Sequence, residues 1–244
     1  MRNLKLVLEY DGTDFRGWQA QPALRTVQGE LEAAIESLTG RHSDVTAASR
    51  TDAGVHALGQ VANFYTPSEM NPNGLVKGLN AWLPRDLRVL SASEMRQSFH
   101  VTLDAVSKRY RYVIDNRAIV RPLMLRHSWH VYPTLDHERM QSAARHLLGR
   151  HDFRSFETDW PNRTSSVRTI HELDVRREGD TVTIEVEADG FLYHMVRAIA
   201  GSLEYVGRGK RGEDWLGDAL KAEDRRAAGP NAPSCGLFLL SVTY

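Results

Sequence analysis

Apolar and polar positions alternate from the start of the chain. Leu4, Leu6, Leu8 and Tyr10 share one face of a strand over residues 2–10. The period then lengthens. Val27, Leu31, Ala34, Ile35 and Leu38 recur at helical spacing over 26–40, with Thr26 placed to cap the start and Gly40 to stop the end. Residues 45–49 and 60–65 read as strands flanking an Asp52-Ala53-Gly54 turn. A short helix over 73–83 ends at Pro84, and 87–93 is a strand.

The order then begins again. Residues 107–114 alternate as a strand. Leu135, Met140, Ala143, Ala144, Leu147 and Leu148 mark a helix over 135–148. Strands at 170–176 and 181–188 are joined by Glu178-Gly179-Asp180. A helix over 192–206, an inserted helix over 213–221 and a strand over 236–244 complete the pattern. Each half reads β-α-β-β-α-β, the ferredoxin-like or RRM-like plan. The predicted class is α+β: two such halves, sheets side by side, with an active-site cleft between them. The boundary is expected within 95–103. This gives an N-terminal half, 1–98, that carries the Asp52 loop, and a C-terminal half, 99–244, that carries Tyr110 and Arg197. The repetition is of pattern, not of residues.

Composition narrows the class. The chain is 41% hydrophobic and 25% charged, enough for a sizeable core without staples. No stretch approaches the roughly 18 apolar residues of a membrane span, so no membrane association is expected. The opening Met1-Arg2-Asn3-Leu4-Lys5 leads into no signal-peptide core. Cys235 is the only cysteine, which excludes an internal disulfide and a cysteine zinc cluster and fits a reducing cytoplasm.

Lys and Arg total 31, as do Asp and Glu, so the net charge does not announce a nucleic-acid binder. Local charge differs. Over 105–130 six cations (Lys108, Arg109, Arg111, Arg117, Arg121 and Arg126) face one anion, Asp115, with Tyr110, Tyr112 and Trp129 interleaved. Cations of this kind grip phosphates while aromatic faces stack on bases. The same run also serves a solvated strand edge, where Lys and Arg discourage further pairing.

The residues with most chemical promise are Arg50-Thr51-Asp52-Ala53-Gly54-Val55-His56-Ala57. Alone, Asp52 is a turn-former, since Asp with Gly two places on is common in turns. The whole octapeptide resembles the signature of the tRNA pseudouridine synthase A family. The resemblance extends through Tyr10-Asp11-Gly12-Thr13-Asp14-Phe15-Arg16-Gly17-Trp18-Gln19-Ala20-Gln21 and Thr26-Val27-Gln28-Gly29-Glu30-Leu31-Glu32. It continues through Lys108-Arg109-Tyr110-Arg111-Tyr112, Phe191-Leu192-Tyr193-His194-Met195-Val196-Arg197 and Ala232-Pro233-Ser234-Cys235-Gly236-Leu237. These motifs run from end to end in the family's order. Two positions depart from it: Ser49 stands where the family usually has Gly, and Ala198 where it usually has Asn. The first narrows backbone freedom in the loop. The second removes a possible hydrogen bond beside Arg197.

The resemblance implies isomerisation of uridines 38 to 40 in the anticodon arm of tRNA. The N1–C1′ bond breaks, the uracil turns, and it rejoins through C5. Atoms are conserved, so no cofactor or metal is required. A carboxylate near C1′ stabilises or traps the sugar cation, as in retaining glycosidases. Asp52 fits that role. Removal of the C2′ proton to give a glycal is the other route, and both stay open. The resemblance makes Arg197 the ion-pair partner of Asp52. It makes Tyr110 a ring that stacks on the target base and assists proton transfer at C5. It makes Arg50 a residue that holds the nucleotide out of its stack. Without it, Arg197 is a surface cation on a helix and Tyr110 a packing residue. In the first loop Arg16 and Gln19 are expected to reach RNA, while Phe15 and Trp18 cover the core edge. Lys108 and Arg109 are further candidates for substrate contact. The resemblance also implies a homodimer that engages the anticodon arm and elbow of tRNA.

Two other classes fit parts of the pattern. A non-catalytic RNA-binding module shares the β-α-β-β-α-β plan but has no use for Asp52 near phosphates. A nucleoside or glycoside hydrolase would need a second carboxylate, and no obvious partner stands out, Asp11, Asp14 and Glu204 being the groups left open. The ten histidines lack metal spacing; His127 with His130, and His146 with His151, read as surface or capping residues. His56 shapes the signature loop. Gly207-Arg208-Gly209-Lys210-Arg211 follows a helix and lacks the Ser or Thr of a phosphate loop, so it reads as a helix stop and basic turn.

Overall fold

The structure, a computed structural model, describes residues 1–158 and 165–244. It divides into two compact units. The first comprises Met1–Val106 and Phe238–Tyr244, the second Ser107–Leu237.

In the first unit β1 (Arg2–Tyr10) pairs antiparallel with β3 (His56–Thr66) on one side and with β4 (Leu87–Met95) on the other. A short β2 (Thr46–Ala47) lies antiparallel on β3. The alternation of β1 sends Leu4, Leu6 and Leu8 into the core. Leu31 and Ile35 of α1 (Val27–Thr39), and Leu75 and Leu79 of α2 (Pro72–Trp82), are buried with them. Both ends of α1 follow the sequence reading. Thr26 Oγ1 accepts the Gly29 N–H, and Gly40, at φ 71°, takes the left-handed stop. Asn71 caps α2 through the Gly74 N–H, and Pro72 occupies its first turn.

The other face of β1 carries a polar lock. Asn63 Nδ2 donates to Asn3 Oδ1 at 2.8 Å, and Asn3 Nδ2 donates to the Phe99 carbonyl at 2.8 Å. Phe99 and Val101 are thereby held against Ala48 and Val61. The first unit therefore extends past residue 98, the boundary expected from sequence, to Val106. The closing strand β10 (Leu237–Thr243), expected in the second half, also returns to it. It runs parallel to β3 through Phe238↔His56 and Leu239↔Ala57. Beyond it the Tyr244 phenol donates to the Val101 carbonyl at 2.8 Å, its ring 5.1 Å from that of Phe99.

In the second unit β5 (Ser107–Asp115), β9 (Thr181–Ala188), β8 (Val167–Glu178) and β7 (Gly149–Asp152) pair antiparallel in that order. A two-residue β6 (Trp129–His130) lies parallel on β5. Neither β6 nor β7 is long enough to leave a period in the sequence. Helix α3 (His137–Ala144) packs on β8 and on α4 (Met195–Gly207), and tightens into a 3-10 turn through Leu147. Helix α4 starts three residues later than its apolar pattern suggests, because His194 sits at φ 63° and no α-helix passes through that conformation. Helix α5 is Trp215–Ala222. Among the described residues no helix is long and apolar enough to cross a membrane.

Candidate active site

Asp52 occupies the turn that launches β3. Its carbonyl accepts the Val55 N–H at 3.1 Å, and Gly54, at φ 77°, takes the position where such a turn requires a positive φ. The Asp52 side chain is half-buried, and its neighbours Thr51, Val55 and His56 are buried. Ser49 has no positive φ, so a side chain there brings no backbone strain.

The first loop interlocks with this turn. Gly12 passes so close that a Cβ would lie 1.9 Å from the Val55 carbonyl oxygen. Its N–H donates to His56 Nδ1 at 3.1 Å, which confirms His56 as a loop-shaping residue, stacked on Phe238 at 4.6 Å. Gly17, at φ 91°, turns the chain beside Thr51, and the Trp18 N–H donates to the Thr51 carbonyl at 2.9 Å. Phe15 and Trp18 are buried, as expected of residues covering the core edge. Arg16, Gln19 and Arg50 are exposed. Arg25 braces the loop. Its guanidinium lies over the Phe15 ring at 4.2 Å and makes two 2.8 Å bonds to Asp86, which hold that carboxyl below its ordinary range.

In the second unit Tyr110 and Tyr112 share the buried face of β5. The Tyr110 ring meets Phe191 edge-on at 5.1 Å, in the surroundings of a packing residue. The Tyr112 phenol donates to the Pro233 carbonyl at 2.7 Å, and burial raises its pKa. Arg197 lies in the first turn of α4 and grips the adjoining residue: its Nε donates to the Ala232 carbonyl at 2.8 Å, while the Ala232 N–H donates to the Arg197 carbonyl at 3.0 Å. Its charge reaches both the Tyr112 phenol and the Cys235 thiol, so the structure gathers Arg197 and the tyrosine face of β5 around residues 232–235. No side chain there signals the backbone carbonyl that fixes the arginine.

Lys108 is half-buried, and desolvation with Arg168 nearby lowers its pKa. Arg109, expected to contact substrate, points to the opposite face of β5. There its guanidinium is bonded to Glu187 and Glu172 and lies 3.6 Å from Glu185. Arg111 is likewise paired with Glu185 at 2.6 Å. This part of the basic run is a cross-strand ion network. Of the discounted histidines, His130 and His151 bond backbone carbonyls of Arg117 and Leu148.

The family described as tRNA pseudouridine synthase matches residues 6–104 and 143–244. The chain belongs to that family. It is 46% identical over 244 residues to tRNA pseudouridine synthase A of Thermoanaerobacter sp. (strain X514), covering 100% of both chains. It is 45% identical to that of Acetivibrio thermocellus, again over 100% of both, and 44% identical to that of Coxiella burnetii, covering 94% of the latter. The membership makes the chain an isomerase. The matched ranges include the Asp52 turn, Arg197 and the closing strand.

Proposed function

We propose that this enzyme converts uridine to pseudouridine at positions 38, 39 and 40 of the tRNA anticodon stem-loop. Asp52 is the catalytic carboxylate, Arg197 its ion-pair partner and Tyr110 the ring that stacks on the uracil. Arg50, Arg16, Gln19 and Lys108 contact the RNA; Arg109 is left out, because its charge is spent on three glutamates. The enzyme works as a cytoplasmic homodimer, one chain being too small to meet both the anticodon arm and the elbow of a tRNA.

The observation that carries the reading is the Asp52 turn itself: a half-buried carboxylate on a backbone held from both sides, inside the family's signature. A surface turn-former has no need of such support. The carboxylate approaches C1′ as the N1–C1′ bond opens, and offsets the positive charge that develops on the sugar. An arginine beside it keeps the carboxylate ionised and oriented. Because Tyr110 is buried, the uracil must enter among buried groups to reach it, as a flipped nucleotide does. Family membership favours this reading over a non-catalytic RNA-binding module and over a hydrolase.

The test is Asp52→Asn, which keeps the shape and removes the charge. Bound tRNA is expected to be retained, while tritium release from C5-labelled uridine falls to background. Near-normal release from this variant overturns the assignment.

A further inference from the structure

Strand β1 ends on a tyrosine whose hydroxyl is committed to the catalytic turn. Tyr10 is 3% exposed, and a phenol oxygen so placed needs partners. Its oxygen lies 2.7 Å from Thr51 Oγ1, and Gln60 Nε2 donates to it at 3.4 Å. The Tyr10–Thr51 bond forms with either hydroxyl as its donor. The same Gln60 amide donates to the Ser49 carbonyl at 2.7 Å. The residues on either side of Arg50 therefore hang from one buried pair, Tyr10 on β1 and Gln60 on β3.

Thr51 is held a second time, by the Trp18 N–H on its carbonyl, and Asp52 follows it directly. A threonine fixed at both hydroxyl and carbonyl has little freedom to rotate, and the peptide plane that leads into Asp52 is fixed with it. Burial pushes the Tyr10 phenol up to about 12, so it stays protonated, and able to donate, throughout the neutral range.

We propose that Tyr10 and Gln60 are positioning residues, which aim the Asp52 carboxylate by anchoring Thr51 and Ser49. The inference rests on Asp52 being the catalytic carboxylate. Its physical basis is the sensitivity of a pre-organised group to placement: displacement by about 1 Å lowers a rate by as much as a hundredfold. Removing the anchor lets the turn sample several orientations, of which only one faces the sugar carbon. Of the proposed RNA contacts only Arg50 lies in this turn, while Arg16, Gln19 and Lys108 lie outside it, so tRNA binding changes little.

The experiment uses the full chain, a tRNA transcript with C5-tritiated uridine, and variants Tyr10→Phe, Thr51→Val and Thr51→Ser. Single-turnover rate at saturating tRNA and Kd are measured separately, at a temperature where circular dichroism shows each variant folded. Tyr10→Phe and Thr51→Val are each expected to lower the rate on the order of tenfold, with Kd within about twofold of the parent. Thr51→Ser, which keeps the hydroxyl, retains the parental rate. The Tyr10→Phe/Thr51→Val double variant loses no more than either single, because one bond links the two groups.

A folded Tyr10→Phe that turns over within about twofold of the parent overturns the proposal, as do additive losses in the double variant. Should Tyr10→Phe fail to fold, the threonine pair decides: Thr51→Val matching Thr51→Ser overturns it, and a tenfold gap supports it. Asp52→Asn runs alongside. If that variant turns over, the catalytic reading and this inference fall together. If it is inactive while Tyr10→Phe is normal, only the inference falls.

Discussion

At the scale of single residues, the molecule separates groups that hold position from groups that meet substrate, and the two kinds respond differently to substitution. Tyr110 has its edge against Phe191. Loss of its hydroxyl leaves that ring contact intact. If stacking alone is its task, Tyr110→Phe keeps the parental rate of tritium release; if the hydroxyl moves the C5 proton, the rate falls by about a hundredfold or more, as general acid–base contributions do. Asp86 gives a prediction about stability. Arg25 holds its carboxyl below the ordinary range, so the pair stabilises the folded state at neutral pH, and that increment is lost as pH falls through the depressed folded value. Asp86→Asn should lower stability at pH 7 by about 1 kcal/mol, after allowance for solvent screening of a partly exposed pair. The gap between parent and variant should then narrow on acidification below about pH 4. Urea titrations across that range measure it. The paired state of Arg109 was hidden in the sequence for a definable reason. Alternation put it opposite Tyr110, but only the β5–β9 register, Arg109↔Glu187 and Arg111↔Glu185, brings the glutamates beside the arginines.

At the scale of elements, the patterns with a clear period were legible and the aperiodic pieces were not. Residues 2–10 and 181–188 alternate cleanly, and β1 and β9 span those ranges. Helix α1 begins and ends at the residues its caps mark. The predicted strand over 45–49 shrinks to Thr46–Ala47, which pairs with Asn63 and Ala62 of β3. The interlock between the first loop and the Asp52 turn left only two glycines as a trace. Their need for small size appears once two distant segments are seen to cross. That crossing is testable. Gly12→Ala drives a methyl group into the Val55 carbonyl, and overpacking of this kind destabilises by about 1–3 kcal/mol. A lowered thermal midpoint, with tritium release reduced in the folded fraction, is the expected result; an unchanged midpoint would show that the loops part without penalty.

At the scale of the whole molecule, the chain balances 31 cations against 31 anions, yet its proposed substrate is a polyanion. Neutrality is workable because anions are spent on the protein's own arginines, as with Glu172, Glu185 and Glu187 on Arg109 and Arg111. Cations not committed in this way are left to meet phosphate. Affinity for tRNA should therefore fall steeply between about 50 and 200 mM salt, with the slope of log K against log salt reporting the number of phosphates engaged. A flat response in filter binding would count against an RNA substrate. The family and the β-α-β-β-α-β order were readable from motifs and periods. The division of the chain was not: Phe99, Val101 and Tyr244 declare their attachment only through Asn3, Asn63 and a backbone carbonyl.

That attachment bears on how the protein is made. The ribosome emits polypeptide in one direction, at roughly 5–20 residues per second. The unit bearing Asp52 includes Phe238–Tyr244, so it waits while residues 107–237, more than half of the chain, are made before its sheet is filled. Until then β3 offers an unpaired border at His56 and Ala57, beside the very turn the chemistry needs. A nascent chain stalled inside the second unit would carry every signature residue of the first and still lack the strand that seals it.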